Sequence, residues 1–242
     1  MLVLERTYMC RFHCSSLRVQ LIHFKDVLTL SWFHSSVTKE GILVCIDSTF
    51  ATPINQKALA LGADFVMNSA TKYIAEHNNV VAGCISGSEK LISQMCNLHF
   101  IFGGTLSPSS AYLVLRGMKT LHLRQQNSTA LRMTKILEAH PKVKRVYYLG
   151  LPNLDKRQMI GFGGVIEGDI MPPMIFVYSL IIPYITPSFG GVESEVTQLA
   201  IMSYCYFAQI PSHVDIPRSK SATHKINDNL VRFCLDLRTS KI

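Results

Sequence analysis

The stretch VCIDSTFATPINQKALALGADFVMNSATKY (44–73) constrains this chain most, because two short apolar runs within it each end abruptly in polar residues. The run 42–46 and the run 64–68, the latter carrying Phe65, Val66 and Met67, have the length and the β-branched or aromatic bias of strands buried on both faces. The spacing predicts a helix between them. Thr52 suits its N-cap and Pro53 its first position, Ile54, Ala58 and Leu61 share a face, and Gly62 suits the left-handed residue that ends it. A strand–helix–strand crossover is right-handed and makes its strands parallel, so their carboxyl ends share the sheet edge at which open α/β sheets bind ligands. Asp47 and Lys72 are therefore expected to converge on that edge.

A lysine beside a carboxylate is, taken alone, most simply a structural ion pair. The neighbours change the balance. Ser69 and Thr71 place two hydroxyls before the lysine that could donate to a phosphate, and an aspartate on the adjacent strand could keep a pyridine nitrogen protonated. A Schiff-base lysine, an acidic partner for a pyridinium and phosphate donors are the parts that pyridoxal phosphate (PLP) requires. The residues by themselves support PLP or another phosphate ligand at a parallel sheet edge.

The motifs IDSTFATP, SATKY with His77 after it, and VVAGCISG resemble the cofactor-binding core of the Cys/Met-metabolism PLP-dependent enzymes, the trans-sulfuration family, with wording nearest its plant cystathionine γ-synthase branch. The stretch 103–152 and the motifs QMIGFGG, IPYITPSFGGVES, AIMSY and DNLVRFCLDL follow in the family's order, so the resemblance covers roughly 39–205 and 224–238. It implies an α/β protein of PLP-dependent transferase fold type I, aspartate-aminotransferase-like, here an incomplete large domain (39–140, with a bridging helix) and a small C-terminal α/β domain (141–242). It implies that Lys72 carries the cofactor as a Schiff base and later moves protons, that Asp47 pairs with the pyridine nitrogen, and that Ser69 and Thr71 contact the phosphate. Thr49 would line the cofactor, while Ser188 and Arg232 would fix the substrate's α-carboxylate, a role for which a guanidinium fork is suited. The implied reaction belongs to methionine biosynthesis: cysteine replaces the γ-substituent of an activated homoserine ester, the phosphate ester in plant relatives. The implied partners are these amino-acid substrates and further subunits in a homo- or hetero-oligomer.

Departures from the family pattern are equally specific. Ala75 and Glu76 stand where small residues, often glycines, usually precede the histidine. Residues 1–38 match none of the family's phosphate loop, ring-stacking aromatic or intersubunit Tyr–Arg pair, so they read as an unmatched leader before an N-terminally truncated enzyme. Losing the first strands of the large domain is expected to expose sheet edge at 42–46. The stretch VIEGDIMPPMIFVYSL is shorter and more apolar than its family counterpart. A second reading is a catalytically impaired fragment that acts only as an interaction partner of full-length subunits. The acid-poor leader and the plant resemblance point to a plastid, with the cytoplasm as the alternative.

Composition fits a globular enzyme: 48% hydrophobic and 17% charged residues in 242 can bury a substantial core. The net charge of +8 comes from scattered lysines and arginines with no basic stripe, which speaks against nucleic acid. Seven cysteines without paired spacing argue for free thiols. Cys10, His13 and Cys14 lack a second ligand pair, so no metal is expected. The apolar stretch 171–187 is broken by prolines, reads as strand and loop, and is too short to span a membrane. GFGG (161–164) reads as close backbone packing, since no helical pattern follows it. Helical spacing predicts two helices, over 109–120 and 127–140, the second stopped by Pro141.

Overall fold

The computed structural model describes residues 11–14, 17–23, 42–123, 126–151, 159–186, 189–199 and 228–235. The chain divides into two compact units, Met1–Arg124 with Gly150–Gly163, and Gln125–Leu149 with Gly164–Ile242.

The first unit is built on a five-stranded sheet of β1 (Arg11–Cys14), β2 (Leu17–His23), β3 (Ile42–Asp47), β4 (Phe65–Ser69) and β5 (Gly83–Gly87), in that spatial order. β2, β3 and β4 run parallel, and β1 and β5 close the two edges antiparallel. The apolar run predicted to be buried on both faces is so. Val44 and Ile46 pack with Ala58, Ala63 and Val66, while Cys45 lies on the opposite face with Phe65 against Leu91, Ile92 and Met95. The open edge expected at 42–46 is not observed. β2 pairs along β3 from Arg18↔Ile42 to His23↔Asp47, so a strand from the segment read as a leader satisfies the backbone groups of that edge.

The crossover is less helical than its spacing predicts. α1 spans only Thr52–Asn55, and Gln56 is already extended at φ −140°, ψ 126°. The Asn55 carbonyl accepts from Ile160 N–H at 2.9 Å, and turns carry the chain from there to Gly62, which holds the expected left-handed conformation at φ 103°. Thr52 Oγ1 still accepts from Ile54 N–H, at 3.3 Å. The alternative backbone partner for Asn55 ended what apolar periodicity alone would have continued.

α2 (Glu89–Phe102) is capped by Ser88 and α3 (Pro108–Met118) by Ser107, each hydroxyl accepting from a backbone N–H in the first turn. Leu113 and Val114 of α3 pack on the cluster of Ala70, Ile74, Ala75, Val80 and Ala82. Among the described residues no helix is long and apolar enough to cross a membrane.

The second unit holds α4 (Gln126–Glu138), β6 (Val143–Tyr147), β7 (Val165–Ile170), α5 (Pro173–Ser179), β8 (Tyr184–Ile185), β9 (Glu195–Gln198) and β10 (Leu230–Cys234), with sheet order β6-β7-β10-β9-β8. Ile166, Ile170, Val196, Val231 and Phe233 are fully buried and form its apolar face. α3 and α4 match the predicted helices to within two residues. The strand-and-loop reading of 171–187 needs correction, because Pro172 and Pro173 start a helix there instead of only interrupting a strand. The GFGG glycines do serve close packing: a Cβ on Gly163 (φ 74°) would lie 2.8 Å from the Phe50 carbonyl, and one on Gly164 would lie 3.1 Å from that of Leu235.

Candidate functional site

Asp47 ends β3, and its register partner on β4 is Met67. Its carboxylate is buried, a position that is costly for a charge unless hydrogen bonds replace water. Thr49 supplies them: Oδ1 of Asp47 accepts from the Thr49 N–H at 3.0 Å and from the Thr49 hydroxyl at 2.6 Å. Because that hydroxyl proton points at Asp47, Thr49 Oγ1 can accept, and it does so from the Ser69 N–H at 2.8 Å. The ends of β3 and β4 are thereby tied through one side chain. Oδ2 of Asp47 takes no hydrogen bond from a described residue, which leaves it for a ligand. A buried carboxylate with one oxygen held by Thr49, and with no described residue donating to the other, fits a protonated pyridine nitrogen.

Two residues before Asp47 on the same face, burial and then the nearby Asp47 charge push the Cys45 thiol up to about 12. Cys45 is therefore a protonated core residue and no nucleophile at neutral pH.

Lys72 stands in a single π-helical turn, Ala70–Ile74, that leaves the end of β4. Its own backbone, at φ −84° and ψ −125°, is not helical and kinks the turn. Asp47 ends β3, and Lys72 lies three residues past the end of β4, its parallel neighbour, so both stand at the same edge of the sheet. Thr71, expected at a phosphate, is held by the protein backbone. Its hydroxyl donates to the Ala82 carbonyl at 3.1 Å and accepts from the Ala82 N–H at 2.8 Å, and its N–H also donates to that carbonyl at 3.0 Å. With its one hydroxyl proton so placed, Thr71 clamps the excursion 70–82 shut against the start of β5. Ser69, partly exposed, has a hydroxyl bonded to no described residue.

Sequence reasoning gave Thr49 only a lining role, yet it ties Asp47 to the end of β4. The signal was present in the Asp-x-Thr spacing, since a threonine two residues beyond an aspartate commonly returns both its N–H and its hydroxyl to the carboxylate. Ser48, between them, is fully buried with an unpartnered hydroxyl that no sequence pattern marked.

In the second unit Arg232 lies on β10 directly opposite Glu167 of β7. Its Nε and Nη2 donate to Glu167 Oε1 at 3.0 and 2.6 Å. Ser188 and Cys10 lie outside the described residues, and of His13 and Cys14 only the strand backbone is described. Among the described residues no cluster of His, Cys, Asp and Glu could hold a metal ion.

The chain is similar to known proteins in both sequence and fold. The chain is 62% identical over 206 residues to chloroplastic cystathionine gamma-synthase 1 of Arabidopsis thaliana, covering 81% of this chain and 35% of that relative. It is 59% identical over 206 residues to the chloroplastic enzyme of the same name from Nicotiana tabacum, covering 81% of this chain and 36% of that one. The chain therefore spans about a third of the length of these curated relatives. A crystal structure of cystathionine gamma synthase from Xanthomonas oryzae pv. oryzae in complex with cystathionine superposes with a TM-score of 0.81 at 29% identity, over 91% of this chain and 59% of that one. The family model described as Cys/Met metabolism PLP-dependent enzyme matches residues 20–239, a span that includes 20–38 of the segment read as a leader. The likeness to a solved enzyme of fold type I agrees with the α/β architecture expected from the strand–crossover–strand stretch. The chain belongs to the Cys/Met-metabolism PLP-dependent enzyme family.

Proposed function

We propose that this chain carries the cofactor-binding core and the α-carboxylate site of a cystathionine gamma-synthase-like transsulfuration enzyme, in which cysteine sulfur replaces the γ-substituent of an activated homoserine ester. The observation that carries this reading is the carboxylate of Asp47, held by Thr49 at the end of β3 with Oδ2 left for a ligand, beside the strand that leads into Lys72. The 62% identity to a chloroplastic cystathionine gamma-synthase supports the same branch of the family and a plastid location.

Bound at this edge, PLP would act as an electron sink for charge left on the substrate's α-carbon. Asp47 would pair with the ring nitrogen and favour its protonated form. Lys72 Nζ would hold the cofactor covalently and, as a free amine, would carry the α-proton. Ser69 donates its hydroxyl to the phosphate, while Thr71 holds the lysine turn against β5. Arg232, with Ser188, binds the substrate's α-carboxylate. The reaction is expected to run in an assembly of several subunits, as is usual in this family.

Purification with PLP, borohydride reduction and peptide mapping test this reading. The label is expected on Lys72, and Lys72→Ala should abolish it. Labelling at Lys57 or Lys90 would refute the assignment. Asp47→Asn should leave the label in place but slow α-proton exchange by orders of magnitude, because a carboxylate partner raises the pyridine nitrogen's pKa by roughly 1–3 units. Unchanged exchange would remove Asp47 from the role.

A further inference from the structure

Arg232 does not wait for its ligand as a bare cation. The cross-strand register places Tyr147, Glu167, Arg232 and Thr197 side by side on one face of the second sheet. At the centre of that row, one oxygen of Glu167 accepts from both Nε and Nη2 of the guanidinium. The two side chains are 15% and 13% exposed, so little water lies between this charge pair and its surroundings. In such a setting a carboxylate approaching Arg232 meets the attraction of the guanidinium and the repulsion of Glu167 together. Glu167 also stands in the stretch VIEGDIMPPMIFVYSL, where the sequence departs from the family pattern.

We propose that Glu167 sets how tightly this chain takes a substrate carboxylate. It serves as an internal carboxylate that competes for Arg232 and keeps its affinity low. The inference rests on the reading of Arg232 as the α-carboxylate site. Glu167 is a positioning and tuning residue; it touches Arg232, not the reacting atoms.

The expected signature is selective for charge. Removing the negative charge while keeping an acceptor oxygen, as in Glu167→Gln, should tighten binding of ligands that carry an α-carboxylate. Ligands without one should be unaffected. Shortening the side chain in Glu167→Asp should draw the carboxylate back along the same register and give a smaller gain.

The test is isothermal titration of the full chain, loaded with PLP, with L-alanine and with L-alaninamide, which lacks the carboxylate. Thermal melts of each variant confirm folding. Glu167→Gln is expected to bind L-alanine at least about tenfold more tightly than the unaltered chain, with Glu167→Asp between them and L-alaninamide unchanged. If Glu167→Gln does not fold, the Glu167→Asp gain alone decides the matter. Equal or weaker L-alanine binding in the folded variants, an equal gain for L-alaninamide, or no binding to any form would overturn the proposal. Arg232→Ala separates the two levels: if it leaves L-alanine binding unchanged, the α-carboxylate reading itself fails. If it weakens binding while Glu167→Gln gives no gain, only the tuning role of Glu167 fails.

Discussion

Glu76 occupies a backbone position that suits glycine. Its φ of 71° lies in the left-handed region, where a Cβ crowds the following carbonyl at a cost of roughly 1 kcal/mol or more. The residue is also buried, with His77 Nε2 4.0 Å from its carboxylate. Glu76→Gly should therefore stabilise the chain by about 1 kcal/mol, read as a higher urea midpoint at unchanged slope. A lower midpoint would mean that the contacts of the buried carboxylate outweigh the backbone strain. The sequence made Glu76 conspicuous as a departure from a small-residue pattern, but only the dihedral explains why small residues belong there. Asn78, at φ 53°, meets the same demand with a residue that tolerates it. Thr71 shows the opposite limit. Its place before the lysine was legible, but its bond to Ala82 joins residues eleven apart and depends on how 70–82 closes, which no local spacing encodes.

Among the elements, α3 packs closely against the lysine turn. A Cβ on Gly117 would lie 2.4 Å from the Ala75 carbonyl and 2.6 Å from that of Ile74. Neither backbone oxygen can yield as a flexible side chain could. Gly117→Ala should therefore cost about 1–3 kcal/mol and lower PLP occupancy at Lys72, because relief requires α3 to withdraw from the turn. Full stability with full labelling would show that α3 merely rests there. α3 and α4 were legible because both have a capping signal or stop signal and a sustained apolar stripe. α1 was over-read for a physical reason. Ala58 and Leu61 share the apolar spacing of a helix, but turns suffice to place them on β3, and a distant N–H claims the Asn55 carbonyl. α5 was missed because two prolines in a row suggest interruption, while at a helix start they are tolerated.

For the molecule as a whole, the buried thiols predict an alkaline limit. Cys45 is raised from an ordinary 9.0 to about 12 by burial, then by Asp47; burial raises Cys84 too and takes Tyr148 from 10.0 to about 12. Below about pH 8, roughly one unit under the ordinary thiol value, these groups are protonated in both folded and unfolded chains and contribute no pH dependence. Between about pH 9 and 12 the unfolded chain releases protons that the folded chain keeps, so stability falls as pH rises. Urea midpoints measured across that window should decline, and Cys45→Ala should decline less steeply. Equal slopes would show that Cys45 ionises freely in the native state. In neutral buffer, iodoacetamide should modify exposed Cys96 and spare buried Cys45 and Cys234. At this scale the parallel pairing of β3 and β4, with Asp47 ending one strand and the Lys72 turn leaving the other, was readable from residues 44–73 alone. The partner strand Leu17–His23 was not, because its apolar alternation lies in a segment without recognisable motifs and its pairing with β3 is set by tertiary register.

The register Ser69↔Gly83 also orders events in time. The lysine turn lies between two strands that are neighbours in the chain and pair antiparallel, so its strand pairing and the Thr71–Ala82 clamp can form once residue 87 has left the ribosome, before α3 packs on it. The Arg232–Glu167 pair spans 65 residues and awaits almost the last strand. During synthesis the amine's setting can thus form well before the guanidinium's, because short loops close at lower entropic cost than long ones. A nascent chain halted midway would already present the turn that carries Lys72, while still lacking Arg232 and its pairing with Glu167.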